Sequence, residues 1–100
     1  AAGPARPAVV VQWRLQLDPG VTLVRVEARA GRAPASELRR LAAAAGVEVL
    51  DLAASRPVQG VVSTALDCRA NEARLQVLLA KVRRLPGVTG VELLTPASIQ

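Results

Sequence analysis

The chain has 100 residues, of which 51% are apolar and 21% are charged, with a formal net charge of +5 at pH 7. This length suits a single domain with one core, and the apolar fraction excludes intrinsic disorder. With no histidine and one cysteine, the chain lacks the residues for a zinc site, an internal disulfide or a Ser-His-Asp triad. We therefore expect no catalytic residues, no metal and no cofactor, and the lone Cys68 favours a reducing, cytoplasmic compartment.

The first part of the chain predicts a linker followed by two strands. Residues 1–7 are rich in Pro, Gly and Ala, as linkers are. Residues 9–17 alternate apolar and polar side chains like a half-buried strand, and Asp18-Pro19-Gly20 then has the chemistry of a turn. Residues 21–29 alternate again, so that the two strands form a hairpin or the first is an added edge strand. The inward positions of the second strand are Val24, Val26 and Ala28.

The middle of the chain predicts a helix and two more strands. The helix begins at Pro34 or Ser36 and ends before Gly46, which suits the left-handed conformation that often follows a helix. Strands are expected at residues 47–52 and 61–68, separated by a turn region at 53–60. The apolar face of the helix comprises Leu38, Leu41, Ala42 and Ala45.

The last third predicts an amphipathic helix and a closing strand. Asn71 is a suitable N-cap, Pro86 and Gly87 stop the helix, and Val88, Val91 and Leu93 supply the strand. From residue 21 the order of elements is β-α-β-β-α-β, which predicts an α+β ferredoxin-like sandwich over residues 8–95, with a tail at 96–100. The apolar stripe of this helix comprises Leu75, Leu78, Leu79, Val82 and Leu85.

Three local features have alternative interpretations. Trp13 is the only aromatic residue, so the base stacking of RNA-recognition domains, which share this order of elements, is excluded. The pairs Arg39-Arg40 and Arg83-Arg84 either contact phosphates or an acidic partner, or simply form a solvated helix face, which we favour. Cys68 lies beside Arg69, which could lower its pKa, but a lone cysteine at a strand end is more often a packing residue.

The segment Gly31-Arg32-Ala33-Pro34 leads into the N-terminus of the first helix. Free backbone N–H groups and the helix dipole favour an anion there, such as the carboxylate of an amino acid. The topology also requires a loop at this place, so the segment has a purely structural explanation and does not by itself indicate a ligand site.

From Val24 to Val88 the residues resemble an ACT domain, the small regulatory βαββαβ module, and most closely the one that ends the RelA/SpoT family of (p)ppGpp synthetase/hydrolases. The resemblance is carried by Val11-Gln12-Trp13, Val24-Arg25-Val26-Glu27-Ala28, Gly46-Val47-Glu48-Val49 and Leu85-Pro86-Gly87-Val88. Such domains usually have Asp-Arg-x-Gly after the first strand, where this chain has Ala30-Gly31-Arg32-Ala33-Pro34.

The resemblance implies a non-catalytic regulatory or interaction domain of a stringent-response enzyme, with no membrane contact of its own. Its expected ligand is a branched-chain amino acid, bound by Gly31, Arg32, Ala33 and Pro34 with Val47 alongside. Its expected partners are a second copy, joined through a sheet edge or a helix face, and the ribosome or its RNA, reached through the parent protein. The alternatives are the cytoplasmic ACT-like tail of an MgtC-type membrane protein and an arginine-based RNA-contact module.

Overall fold

The computed structural model describes residues 7–14, 20–31 and 34–96. Within these ranges lie five strands and two helices: β1 Val9–Arg14, β2 Thr22–Arg29, α1 Pro34–Ala45, β3 Glu48–Ala54, β4 Val61–Arg69, α2 Glu72–Val82 and β5 Val88–Pro96. Most of the expected linker, the turn at Asp18-Pro19 and most of the expected tail lie outside the described residues, as do Leu15 and Leu17 of the first predicted strand. No described helix has the length and apolarity needed to span a bilayer.

The five strands form one sheet in the order β1-β5-β2-β4-β3. The central pairs are antiparallel, as the ferredoxin-like order requires, and β1 pairs parallel to β5 at one edge. The hairpin between the first two strands is therefore wrong, and the alternative of an added edge strand is confirmed. Strand β1 is hydrogen-bonded to β5 and not to β2, its neighbour in the sequence.

Both helices cover the same face of the sheet, and the core lies between the two layers. Inward side chains of β2, β4 and β5 meet the apolar stripes of α1 and α2 in one cluster. Burying these side chains is the main stabilising term of such a sandwich. The fully enclosed residues include Val24, Val26, Leu38, Leu66, Leu78 and Val82.

Helix α2 begins at its predicted N-cap, Asn71, but it ends at Val82, earlier than the predicted end at Leu85. The Asn71 side chain accepts a hydrogen bond of 2.9 Å from the backbone N–H of Arg74, which satisfies one of the free donors at the helix start. The helix gives way to a turn before Pro86, and Gly87 has φ +85°, which allows the chain to reverse into β5. Leu85 packs against the core from this turn, beyond the last helical residue.

Strand β3 differs from the prediction at both ends. It begins at Glu48 because the Val47 N–H donates to the Ala42 carbonyl oxygen at 2.9 Å, which closes α1 around Gly46. It continues to Ala54 because the ladder with β4 extends to Thr64. The turn of the β3–β4 hairpin is Gln59-Gly60, and both of these residues have positive φ, as a tight two-residue turn requires.

Candidate functional site

The junction between β2 and α1 lies where three connections of the fold meet. The Ala30 N–H donates to the Gly60 carbonyl oxygen at 2.8 Å, which ties the junction to the tip of the β3–β4 hairpin. The Arg29 N–H donates to the Gly87 carbonyl oxygen at 2.9 Å, which ties it to the turn before β5. Gly31 follows with φ +92° and is exposed, so that its backbone is open to solvent.

Helix α1 presents its N-terminus next to this junction. Pro34 is its first residue and supplies no N–H, so the amides of Ala35, Ser36 and Glu37 are the donors in its first turn. The Glu37 carboxylate lies in the same turn and contacts the Arg40 guanidinium. A negative side chain near the helix start offsets part of the positive end of the dipole.

The predicted ligand residues do not all come together in one subunit. Gly31 lies before α1, whereas Val47 lies after it. A helix of 12 residues rises by roughly 18 Å, so the two positions stand at opposite ends of α1. Val47 is buried in the core, with 5% of its surface exposed. Arg32 and Ala33 lie outside the described residues. Gly31 and Val47 therefore do not form one site within a subunit, and Val47 is not exposed to a ligand.

A second concave surface lies on the face of the sheet that the helices leave uncovered. It is an open depression of about 340 Å³ beside the entry to β1. Arg25 of β2 and Glu92 of β5 line it, 3.4 Å apart between Nη1 and Oε1, together with the Glu27 carboxylate. Gly90 also lines it, and a Cβ at this position would be in ordinary van der Waals contact with Oε2 of Glu27, at 3.5 Å. The depression combines opposite charges with the apolar side chain of Val10.

The depression was not predicted from the sequence. The alternation in β2 predicts that Arg25 and Glu27 point outward, and this is the one sequence feature that indicates part of the lining of the depression. The register that sets Glu92 opposite Arg25 is a non-local pairing. No local pattern in β5 reports it.

The outer surface of the helix layer is basic. One of its arginines has a structural role, because the Arg74 guanidinium donates to the Gly46 carbonyl oxygen at 3.2 Å and so caps the C-terminus of α1. Another, Arg83, donates from Nε to the Pro7 carbonyl oxygen at 2.7 Å and holds the entry to β1. Basic side chains outnumber acidic ones in this layer: Arg39, Arg40, Arg74, Lys81, Arg83 and Arg84 against Glu37 and Glu72.

Cys68 is a packing residue. It is fully buried on the helix-covered face, and its thiol donates to the Thr22 carbonyl oxygen at 3.4 Å. Burial, with a smaller contribution from the charge of Asp67, raises the pKa of the Cys68 thiol to about 11. This confirms the favoured interpretation of Cys68 and excludes the alternative that Arg69 lowers its pKa, because successive strand residues point to opposite faces and Arg69 is exposed.

No cluster of three or more His, Cys, Asp or Glu side chains that could hold a metal ion occurs in the part of the chain that the structure describes. This observation concerns residues 7–14, 20–31 and 34–96. The polar groups that the fold does bring together are those of the β2–α1 junction, the depression and the helix layer.

Comparison with known proteins identifies the fold. No protein-family model matches the chain, and no curated protein sequence does either. Among solved structures, the ACT domain of the GTP pyrophosphokinase of Chlorobium tepidum superposes with a TM-score of 0.62 and 15% identity, over 73% of this chain and 95% of that domain. The chain therefore has the fold of an ACT domain, as the sequence resemblance implied.

Two other structures share this fold. The C-terminal domain of the MgtC protein from Mycobacterium tuberculosis matches with a TM-score of 0.61 and 17% identity, over 77% of this chain and 89% of that domain. A homoserine dehydrogenase from Thiobacillus denitrificans matches with a TM-score of 0.64 and 16% identity. The match covers 79% of this chain and 18% of that enzyme. In all three of these matches the fold is one domain or part of a longer protein.

Proposed function

We propose that the chain is a non-catalytic regulatory domain of the ACT type, acting in the cytoplasm within a stringent-response (p)ppGpp synthetase/hydrolase. The observation that carries the proposal is the match to the ACT domain of a GTP pyrophosphokinase, which spans nearly all of that domain. The features from Val11-Gln12-Trp13 to Leu85-Pro86-Gly87-Val88 support the same parent. The single cysteine, which allows no internal disulfide, supports a reducing compartment.

The proposed ligand is a branched-chain amino acid at the β2–α1 junction. Its carboxylate meets the exposed backbone of Gly31 and the first-turn amides of α1, with Arg32 adding positive charge. Two features weaken the site: Pro34 lacks an N–H, and Glu37 places a carboxylate in the first turn. Binding is therefore expected to be weak, in the millimolar range on the order of −4 kcal/mol.

Titration with valine, leucine or isoleucine tests this ligand, with backbone amide shifts as the readout at constant protein concentration. We expect movement at Gly31, Ala35 and Ser36, and Pro34→Ala should tighten binding because it restores a donor. Lysine at the same concentrations is the control for the side chain, because it has the same carboxylate, and shifts of equal size would show that the branched side chain contributes nothing. Unmoved amides at Gly31 and in the first turn of α1, with millimolar ligand, would contradict amino-acid sensing at this site.

A second candidate function is contact with ribosomal or other structured RNA through the basic helix layer. The excess of arginine and lysine on this layer favours it, since phosphate contacts depend on such side chains. RNA binding that weakens steeply with salt, and that Arg39→Ala together with Arg40→Ala reduces, would support this candidate. Binding that is insensitive to salt would contradict it.

The match to the MgtC domain supports a third candidate, in which the parent is a membrane protein that carries this domain as a cytoplasmic tail. The similarities to the two domains are of the same size, so the fold does not choose between the parents. The protein sequence before Ala1 distinguishes them. A (p)ppGpp synthetase domain there would support the first proposal, and a set of membrane-spanning helices would support the third.

A further inference from the structure

The sheet has a face that no described helix or strand covers. Helices α1 and α2 pack on the inward side chains of β2, β4 and β5. The residues that alternate with these, such as Arg25 and Ala65, point to the other side. A sheet face in a folded domain is usually buried against a second layer. This open face is therefore available to a partner.

The centre of the open face has small side chains and no unpaired strand edge. Its small residues are Ala53 on β3, Ser63 and Ala65 on β4, and Gly90 on β5. Strands β2 and β4 each pair with a neighbour on both sides, so their backbone groups take part in ladders. A partner cannot add a strand there and must contact side chains. A helix does this, as α1 and α2 do on the opposite face.

The open face is acidic, although the chain as a whole carries a net charge of +5. Among the described side chains on this face, carboxylates outnumber guanidinium groups: Glu27, Glu48, Asp51, Asp67 and Glu92 against Arg25, Arg29 and Arg69. The helix layer has the opposite excess. The two sides of the domain therefore attract partners of opposite charge.

Two of these carboxylates face each other across a strand pair. The register of β3 and β4 sets Asp51 directly opposite Asp67. Like charges at such positions destabilise a ladder. A cation placed beside both carboxylates offsets the repulsion, so the Asp51–Asp67 pair is a favourable contact for a Lys or Arg side chain of a partner.

The depression beside the entry to β1 is a second place for a cation on this face. The exposed Glu27 carboxylate lines it and forms no ion pair with a described residue. Arg25 also lines it, but the attraction to Glu92 at 3.4 Å offsets part of the repulsion that Arg25 exerts on an incoming cation. Val10, which is 53% exposed, offers apolar contact to the alkyl part of a Lys or Arg side chain.

We infer that the open face binds a basic amphipathic helix of a protein partner. The apolar side of this helix rests on the small residues around Ala65, and its cations reach the Asp51–Asp67 pair and the depression. These two places lie on opposite sides of Ala65, two to three strand spacings apart, or roughly 10–15 Å. A helix of about ten residues spans that distance. The inference holds whichever parent carries the domain and does not depend on the amino-acid ligand.

The probe is a synthetic peptide of about 18 residues, made of Leu, Ala and Lys, that forms a helix with one apolar and one lysine-rich side. Titrated into the whole chain, it should shift the backbone amides of Ser63, Ala65 and Asp67, and binding should weaken as salt is added. The two control peptides are a scrambled sequence, which has no apolar side, and the same helix with Glu in place of Lys. Neither should shift these amides.

Substitutions on the two faces locate the contact. Asp67→Lys reverses one charge and gives Asp51 an opposite partner, so the chain should keep its stability in urea melts while peptide binding weakens by about tenfold. Glu27→Gln removes a carboxylate from the depression and should weaken binding by about two- to fivefold. Glu72→Gln makes the same change on α2, which packs on the other face, and should leave binding unchanged.

Three results would overturn the inference. The first is no shift at Ser63, Ala65 or Asp67 with the basic peptide at millimolar concentration. The second is equal binding of the scrambled peptide, which would show that no helix is recognised. The third is equal weakening by Glu72→Gln and Glu27→Gln, which would show that net charge alone decides the binding.

Discussion

The Arg25 guanidinium lies 3.4 Å from the Glu92 carboxylate because the register of β2 and β5 places these two residues directly opposite each other. The side chains are 39% and 26% exposed, so water screens the attraction. We expect a coupling free energy of about 0.2–1 kcal/mol from a double-mutant cycle of Arg25→Ala and Glu92→Ala, measured by urea melts. The control cycle pairs Arg25 with Asp51, two strands away, and should give less. A coupling above roughly 2 kcal/mol would mean that the pair is shielded from water.

Leu78 and Val77 are neighbours in α2 with opposite environments. Leu78 is fully buried, whereas Val77 is 47% exposed. Leu78→Ala should lower the free energy of unfolding by roughly 2–5 kcal/mol, through lost burial and the cavity that remains. Val77→Ala should cost less than about 1 kcal/mol. Urea melts of both variants test this, and equal losses would contradict the orientation of the helix.

Thr64 carries a hydroxyl that is fully buried and has no hydrogen-bond partner among the described residues. Valine has the same shape without the hydroxyl, so Thr64→Val should raise the free energy of unfolding by about 1 kcal/mol or more. Thr89→Val is the control, because the Thr89 hydroxyl is exposed and donates to the Glu27 carbonyl oxygen at 3.3 Å. A loss of stability in Thr64→Val would show that the hydroxyl does have a partner, such as a buried water.

Cys68 should make the stability depend on pH in alkaline solution. The thiol has a pKa of about 11 in the folded chain, against an ordinary 9.0. Between these values the unfolded chain releases the proton and the folded chain keeps it. The stabilisation is therefore fully present below pH 9.0 and is lost as the pH rises to about 11, at up to about 1.4 kcal/mol per pH unit.

Urea melts from pH 7 to 11 test this prediction against Cys68→Ala. The variant loses packing at every pH, but it lacks the thiol, so its stability should fall less steeply above pH 9.0. The other groups that titrate in this pH range are common to both proteins, so their effects on stability cancel in the comparison. Parallel pH profiles for the two proteins would contradict the raised pKa.

The elements that local chemistry specifies were predictable from the sequence. Asn71 and Gly46 bound their helices because a cap and a left-handed residue each act within one turn. The stripe of α2 follows from helical periodicity, and the order of elements then restricts the fold to very few topologies.

Pairings between distant segments were not predictable in the same way. Alternation in β1 identifies a strand but not its neighbour, and nothing local selects β5 over β2. The expected grouping of Val47 with Gly31 failed within one subunit because helix length separates them, a consequence of topology. The pair Arg25–Glu92 depends on register, which buried faces specify and no single strand encodes.

The parallel pairing of β1 with β5 also determines how the domain responds to tension. Pro7 precedes the start of β1, and Pro96 ends β5 at the opposite end of the same pair. A pull applied between these two residues slides the strands past each other lengthwise, so the hydrogen bonds of the pair share the load. Strands pulled apart from one end would instead open one bond at a time. Stretched between these two points, the domain should resist force as a shear clamp and behave as a stiff joint in a longer chain.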